Sequence, residues 1–148
     1  MSLAMTKDER YEFLAGVHIA VLSVPREAAG PLTCPIWYSY EPGGDIVFVT
    51  EAHSRKAELM ALGTRVSFCA QVEGGLPKYV TVEGPIVSIE AADIEAVRPI
   101  AHRYLGAEVG DGYLEQTRKG PDAPQEIRVS IRPDRWLSAD FAKQFSEA

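Results

Sequence analysis

Apolar positions along the chain fall into short alternating runs separated by glycine- and proline-rich turns, with helix-spaced patterns at the start and past the middle. Thr6 stands three residues before Glu9, the spacing of a capping box, and Tyr11, Leu14 and Ala15 follow at helical intervals up to Gly16. Val17 to Val24 is a dense run with two apolar faces, which predicts a strand buried on both sides. Pro25 to Pro31 reads as a turn. Thr33 to Tyr40 reads as a second strand rich in aromatic and β-branched residues, and Pro42-Gly43-Gly44-Asp45 as a hairpin into a third strand, Ile46 to Thr50. A helix from Ser54 to Leu62 is ended by Gly63, and Arg65 to Val72 alternates as a fourth strand. Lys78 to Glu90 is the longest strand, with Val80, Val82 and Ile86 on one side, Thr81 and Glu83 on the other, and a bulge or bend expected at Gly84-Pro85. Asp93 caps a helix running to Tyr104, striped by Ile94, Val97 and Ala101 and bent at Pro99. Gly106 to Pro124 reads as irregular apart from a short helix near Tyr113 to Arg118; Glu126 to Arg132 is a last clear strand, and Trp136 opens a further short one.

Short hairpin-linked strands with helices at their ends predict a mainly β, α+β domain built as an antiparallel Greek-key barrel. The hairpin after Tyr40 and the lack of a GxGxxG or GxxxxGK[ST] stretch speak against a dinucleotide-binding or P-loop sheet. The 148 residues suffice for one domain, 1–148, in which residues 1–5 are read as a tag or disordered start outside the fold argument. No apolar run is long enough to span a bilayer and no signal-peptide pattern opens the chain, so a cytoplasmic protein is expected. A net charge of -6 argues against general nucleic-acid binding but leaves room for a small basic pocket. Cys34 and Cys69 lie in strand-like stretches without a CxxC spacing and are read as buried thiols in a reducing compartment, with no metal site.

Thr50-Glu51-Ala52-His53-Ser54-Arg55-Lys56 is the stretch that carries chemistry. It joins a strand end to a helix start, where acidic residues are favoured, yet places two cations there. A bound anion would make that arrangement favourable: Ser54 and Thr50 offer hydroxyls, Arg55 a bidentate fork and Lys56 a point charge. A solvated helix start with two surface cations is the alternative. Cys34-Pro35-Ile36-Trp37-Tyr38-Ser39-Tyr40, taken alone, reads first as ordinary core packing and second as a flat apolar wall for a planar ligand. His18 and His102 have no sequence partner for metal ligation, His53 reads as a cap or surface residue, and Asp111, Glu115 and Asp122 as a solvated acidic loop.

Pro35-Ile36-Trp37-Tyr38, the Gly-Gly hairpin, Val47-Phe48-Val49-Thr50, Ser54-Arg55-Lys56 and Val80-Thr81-Val82-Glu83-Gly84 together resemble the FMN-binding split-barrel family related to pyridoxamine 5′-phosphate oxidase, and most of all its small actinobacterial-type members. The resemblance runs from about residue 8 to residue 90, with a looser match in Arg128 to Phe141. It implies a six-stranded split β-barrel and a homodimer with two cofactor sites at the subunit interface. It implies that Thr50, Ser54, Arg55 and Lys56 hold the phosphate. Pro35, Ile36 and Trp37, with Val49, would border the ring system, and Gln71 and Tyr79 would approach from the partner subunit. The cofactor implied is FMN or, alternatively, the 8-hydroxy-5-deazaflavin coenzyme, serving hydride transfer to or from a small organic substrate. An Arg-x-His pair that grips pyridoxal phosphate in the true oxidase is missing from Ile131-Arg132-Pro133-Asp134-Arg135-Trp136, which argues against vitamin B6 oxidation. A non-catalytic flavin or haem carrier and a dimeric barrel acting through protein contacts are the competing readings.

Overall fold

The computed structural model describes residues 2–145. Among these, eight strands, β1 (Ala20–Val24), β2 (Leu32–Ile36), β3 (Ser39–Tyr40), β4 (Ile46–Glu51), β5 (Arg65–Gln71), β6 (Lys78–Ala92), β7 (Glu126–Ile131) and β8 (Arg135–Asp140), are joined with four helices, α1 (Lys7–Ala15), α2 (Arg55–Glu58), α3 (Ile94–Leu105) and α4 (Ala107–Thr117). Phe141–Phe145 forms a final 3₁₀ turn. All strand pairings are antiparallel, in the order β2-β1-β5-β6-β7-β4-β3, with β8 added to β6. This is a mainly antiparallel half-barrel with helices at its edge, in keeping with a split barrel.

The strand count departs from the expected six for two reasons. The stretch Thr33 to Tyr40 is broken at Trp37-Tyr38 into β2 and β3, because Tyr38 turns wholly into the core and its hydroxyl donates to the Leu14 carbonyl at 2.6 Å. The segment opened by Trp136 is a full six-residue strand, β8, paired along Lys78 to Glu83.

β6 holds the two halves together. Its first part pairs with β5 and β8, and from Ile86 onward it pairs with β7. Val80, Val82, Gly84 and Ile86 point inward, as the alternation predicts. The register shift falls between Ile86 and Ser88, just beyond the expected Gly84-Pro85. Gly84 instead permits a close approach of two backbones. A Cβ there would lie 1.9 Å from the Arg132 carbonyl oxygen, so only glycine lets β6 pass this near to the chain after β7. The core fills from every strand: Leu22, Val24, Ile46, Phe48, Phe68, Val129 and Ile131 are all fully or almost fully buried.

Several local expectations need correction. Residues 3–5 belong to the fold: Met5 is buried, its N–H donates to Ser138 Oγ at 3.0 Å, and the Leu3 carbonyl accepts from Asp140 N–H at 2.8 Å. Met1 lies outside the described residues. β1 starts only at Ala20, and its outward residues are open within the single chain, with Val17, Ile19 and Val21 exposed by 56%, 49% and 42%. The expected helix Ser54 to Leu62 shrinks to the single turn of α2, because Leu59 and Met60 turn toward the core. Gly106 to Pro124 is largely helical. Gly110, which reads as a breaker, sits where a Cβ would meet the Ala101 backbone at 3.2 Å, so it serves the close crossing of α3 and α4. Cys34 and Cys69 are half-buried rather than buried.

The two glycine environments make opposite predictions. Gly84→Ala should destabilise the protein by about 3 kcal/mol or more, because the added methyl meets backbone that cannot yield. Gly112→Ala, in α4 with nothing within 4 Å of its Cβ, should stabilise by about 0.5–1 kcal/mol. Urea unfolding followed by circular dichroism measures both.

Candidate functional site

A cavity of about 500 Å³ opens where β2, β4 and α4 meet. Its lining is Ile19, Pro35, Ile36, Trp37, Val49, Thr50, Lys56, Tyr113 and Arg118. Six residues singled out from sequence therefore come together: Pro35, Ile36 and Trp37 on β2 and just past its end, Val49 and Thr50 on β4, and Lys56 on α2. The β4-β7 pairing sets Val49 opposite Arg128 and Thr50 opposite Ile127, which fixes the depth at which Thr50 enters the cavity.

Two polar groups in this wall lack partners among the described residues. Thr50 is buried, yet its hydroxyl makes no hydrogen bond among the described residues. Lys56 forms no ion pair among them. The hydroxyl of a buried residue and a cation, both lining one cavity without a protein partner among the described residues, suit an anionic group.

The other proposed phosphate ligands are placed differently. Ser54 acts as the cap of α2: its hydroxyl accepts from Ala57 N–H at 3.3 Å and donates to the Glu51 carbonyl at 2.8 Å. Arg55 is exposed and lies outside the cavity lining. Since α2 is one turn long, little of a helix dipole is available, and attraction for an anion rests on side-chain charge. His53 pairs with Gln125, its Nε2 3.1 Å from Oε1.

Gln71 and Tyr79 face each other across β5 and β6, away from this cavity. Gln71 lines a neighbouring groove of about 570 Å³ with Val17, His18, Ile19, Val21 and Pro35. The groove and the cavity share Ile19 and Pro35.

The aromatics near β2 divide into two sets. Tyr38 and Tyr40 are core residues; Tyr38 meets Phe68 edge-on at 4.8 Å. Trp37 stacks on Tyr104 of α3, with ring centroids 4.9 Å apart and planes 6° from parallel, and Tyr113 leans on it at 5.8 Å. The Tyr104 hydroxyl donates to the His18 carbonyl at 2.6 Å and accepts from Tyr38 N–H at 3.1 Å. One side chain thus pins both the start of β1 and the break after β2. Burial raises the Tyr104 pKa, which keeps this hydroxyl a donor. His18 is structural as well: its ring stacks on Phe13 at 4.3 Å, and desolvation lowers its pKa.

Sequence reading missed Ile19, Tyr113 and Arg118. The available signal was the helical spacing of Gly110, Tyr113, Leu114 and Thr117, masked by the two glycines of α4. Arg118, the C-cap of α4, reaches back to Glu126: Nε and one terminal nitrogen donate to the two carboxylate oxygens at 2.8 and 3.0 Å.

Tyr104→Phe should leave Tyr38 N–H without an acceptor. The expected cost is about 1–3 kcal/mol in urea unfolding, with an altered Trp37 emission because its stacking partner is no longer held.

Comparison with sequence families matches residues 6–135 to the family described as pyridoxamine 5′-phosphate oxidase. Comparison with curated proteins gives no match. Among solved structures, a conserved hypothetical protein from Mycobacterium tuberculosis is similar with a TM-score of 0.74 and 22% identity, covering 99% of this chain and 92% of that one. An F420 reductase is similar with a TM-score of 0.67 and 17% identity, covering 85% of this chain and 94% of that one. An FAD and heme binding protein from Mycobacterium smegmatis reaches 0.60 and 15%, covering 93% of this chain and 73% of that one. At these identities the likeness to the solved structures is one of fold.

Proposed function

The chain belongs to the pyridoxamine 5′-phosphate oxidase family, and within it we propose that the protein is an oxidoreductase that binds a flavin-type cofactor in the cavity between β2, β4 and α4. The observation that carries this reading is the meeting of an apolar wall, Pro35, Ile36 and Trp37, with an unpartnered hydroxyl and cation, Thr50 and Lys56, in one cavity of about 500 Å³. Such a volume falls in the ordinary range for cofactor-sized ligands. When bound, the cofactor supplies hydride transfer at its ring to or from a small organic substrate. The chain's own residues bind and orient: Thr50 and Lys56 hold the phosphate, Arg55 adds attraction from the rim, and Ser54 fixes the turn that presents Lys56. Trp37, backed by Tyr104, gives a rigid side to the ring pocket. FMN is the simplest candidate and the deazaflavin coenzyme the second; both carry a phosphate next to the ribityl chain, so Thr50 and Lys56 could serve either.

A second copy of the chain is proposed to complete the site. The register aligns Pro35, Val21, Cys69, Thr81 and Leu137 in one row across β2, β1, β5, β6 and β8, on the outer face. Val21 and Leu137 in this row are exposed by 42% and 63%. Pro35 belongs both to the row and to the cavity, so a copy packed there borders the cofactor, and Gln71 and Tyr79 lie where they would face it. No helix of the described residues is long and apolar enough to cross a membrane.

Titration of the protein with FMN and with the deazaflavin coenzyme, followed by absorbance and fluorescence, tests the cofactor. Binding of at least one is expected, weakened tenfold or more, about 1.4 kcal/mol, in the Arg55→Ala, Lys56→Ala double variant. Unchanged affinity in that variant would remove the phosphate assignment. Reduction of the bound cofactor by a nicotinamide donor supports an enzyme, whereas binding without any turnover favours a carrier. For the dimer, Val21→Glu should halve the mass in analytical ultracentrifugation and weaken cofactor binding with it. A wild-type protein that sediments as a monomer at micromolar concentration contradicts the two-copy site.

A further inference from the structure

The flavin-type reading leaves the chemical form of the phosphate open, and the pair missed by sequence reading bears on it. Arg118 and Glu126 are both well shielded, with side-chain exposures of 16% and 6%, and the guanidinium grips both carboxylate oxygens. Its remaining terminal nitrogen donates to Thr117 Oγ1 at 2.7 Å, and the group lies over the Tyr113 ring at 5.2 Å from the centroid. Three of its five N–H donors are used in this way among the described residues, and the side chain also lines the cavity.

The charged residues of the cavity lining are Lys56 and Arg118. Glu126 neutralises Arg118, so the lining offers one net positive charge. Arg55 is exposed and lies outside the lining, so its attraction is screened by solvent and adds less than a charge within the pocket. A phosphomonoester carries about -1.5 to -2 at pH 7, while a phosphodiester carries a single charge. Taking a group out of water costs roughly in proportion to the square of its charge, whereas its attraction to the site rises only in proportion to the charge.

We propose, resting on the flavin-type reading, that the Arg118–Glu126 pair sets the charge of the phosphate this pocket accepts and holds it to a phosphodiester in preference to a phosphomonoester. Arg118 acts as a binding residue whose attraction is partly cancelled by the paired carboxylate, and Glu126 acts through Arg118 as a positioning and charge-setting residue.

Three ligands with the same ring and different charge test this: riboflavin, riboflavin 4′,5′-cyclic phosphate and FMN. Dissociation constants are measured by fluorescence at low salt and pH 7.5 for the wild type and for Glu126→Gln, which keeps an acceptor for Arg118. Comparing each ligand with itself across variants cancels differences in ligand shape. The expected result is riboflavin unchanged, the cyclic diester about five- to tenfold tighter, and FMN tighter by about the square of that factor. Arg118→Gln should shift the same ligands in the opposite direction and serves if Glu126→Gln does not fold. Equal shifts for diester and monoester, or none, overturn the charge-setting role while riboflavin binding keeps the flavin reading intact. Failure of all three ligands to bind the folded wild type overturns both.

Discussion

One strand has to serve two sheets. β6 pairs with β5 and β8 along its first half and with β7 along its second, and everything outside it is arranged by how it bends in between. The bend is possible because Gly84 lets the backbone come against the Arg132 carbonyl, an approach that leaves no room for a Cβ. Once β6 is placed, β1 and β2 are hung on one side through β5, and β4 and β3 on the other through β7. The candidate pocket lies where β2 and β4 come near each other across the opening. Its polar and apolar walls thus come from opposite halves of the molecule and meet only because a single strand is common to both.

Holding β2 in place then falls to two tyrosines. Tyr38 leaves the strand to enter the core and ties itself to the end of α1, while Tyr104 receives the Tyr38 amide and donates to His18. The break between β2 and β3 is therefore no defect of the ladder. It turns Trp37 outward beside the pocket and stacks it on Tyr104, at the expense of two residues of strand pairing. Arg103 crosses the same region, its guanidinium 5.2 Å from the Tyr38 centroid.

Much of this was legible in the chain. Alternation located β1, β4, β5, β6 and β7 to within a few residues, the capping box of α1 and the cap of α3 stand as spaced, and the meeting of Thr50 and Lys56 with Pro35, Ile36 and Trp37 was legible through the family resemblance that their motifs carry. What escaped depends on long-range contacts. Gly110 looks like a helix breaker until the Ala101 backbone is seen against it. Leu59 and Met60 have good helical spacing with Arg55, yet burial of Met60 wins over continuation of one helix. Arg118 and Glu126 are eight residues apart across an irregular turn, and nothing in composition signals their ion pair. Ser54 shows the reverse case: a residue assigned to a ligand from a motif has its hydroxyl occupied by the local backbone.

The helical hairpin of α3 and α4 packs chiefly on itself, around a small cluster of Val97, Ala101 and Leu114 set apart from the barrel core. Sub-globular opening is cheapest where few buried apolar groups join a segment to the rest. Tyr104 ties α3 to His18 and Tyr38, and Arg103 ties it to the Gly16 carbonyl, so local opening is expected in α4, which packs mainly on α3, while α3, β2 and β4 stay. Amide exchange in α4 should then respond to occupancy of the pocket, because Tyr113 and Arg118 line it.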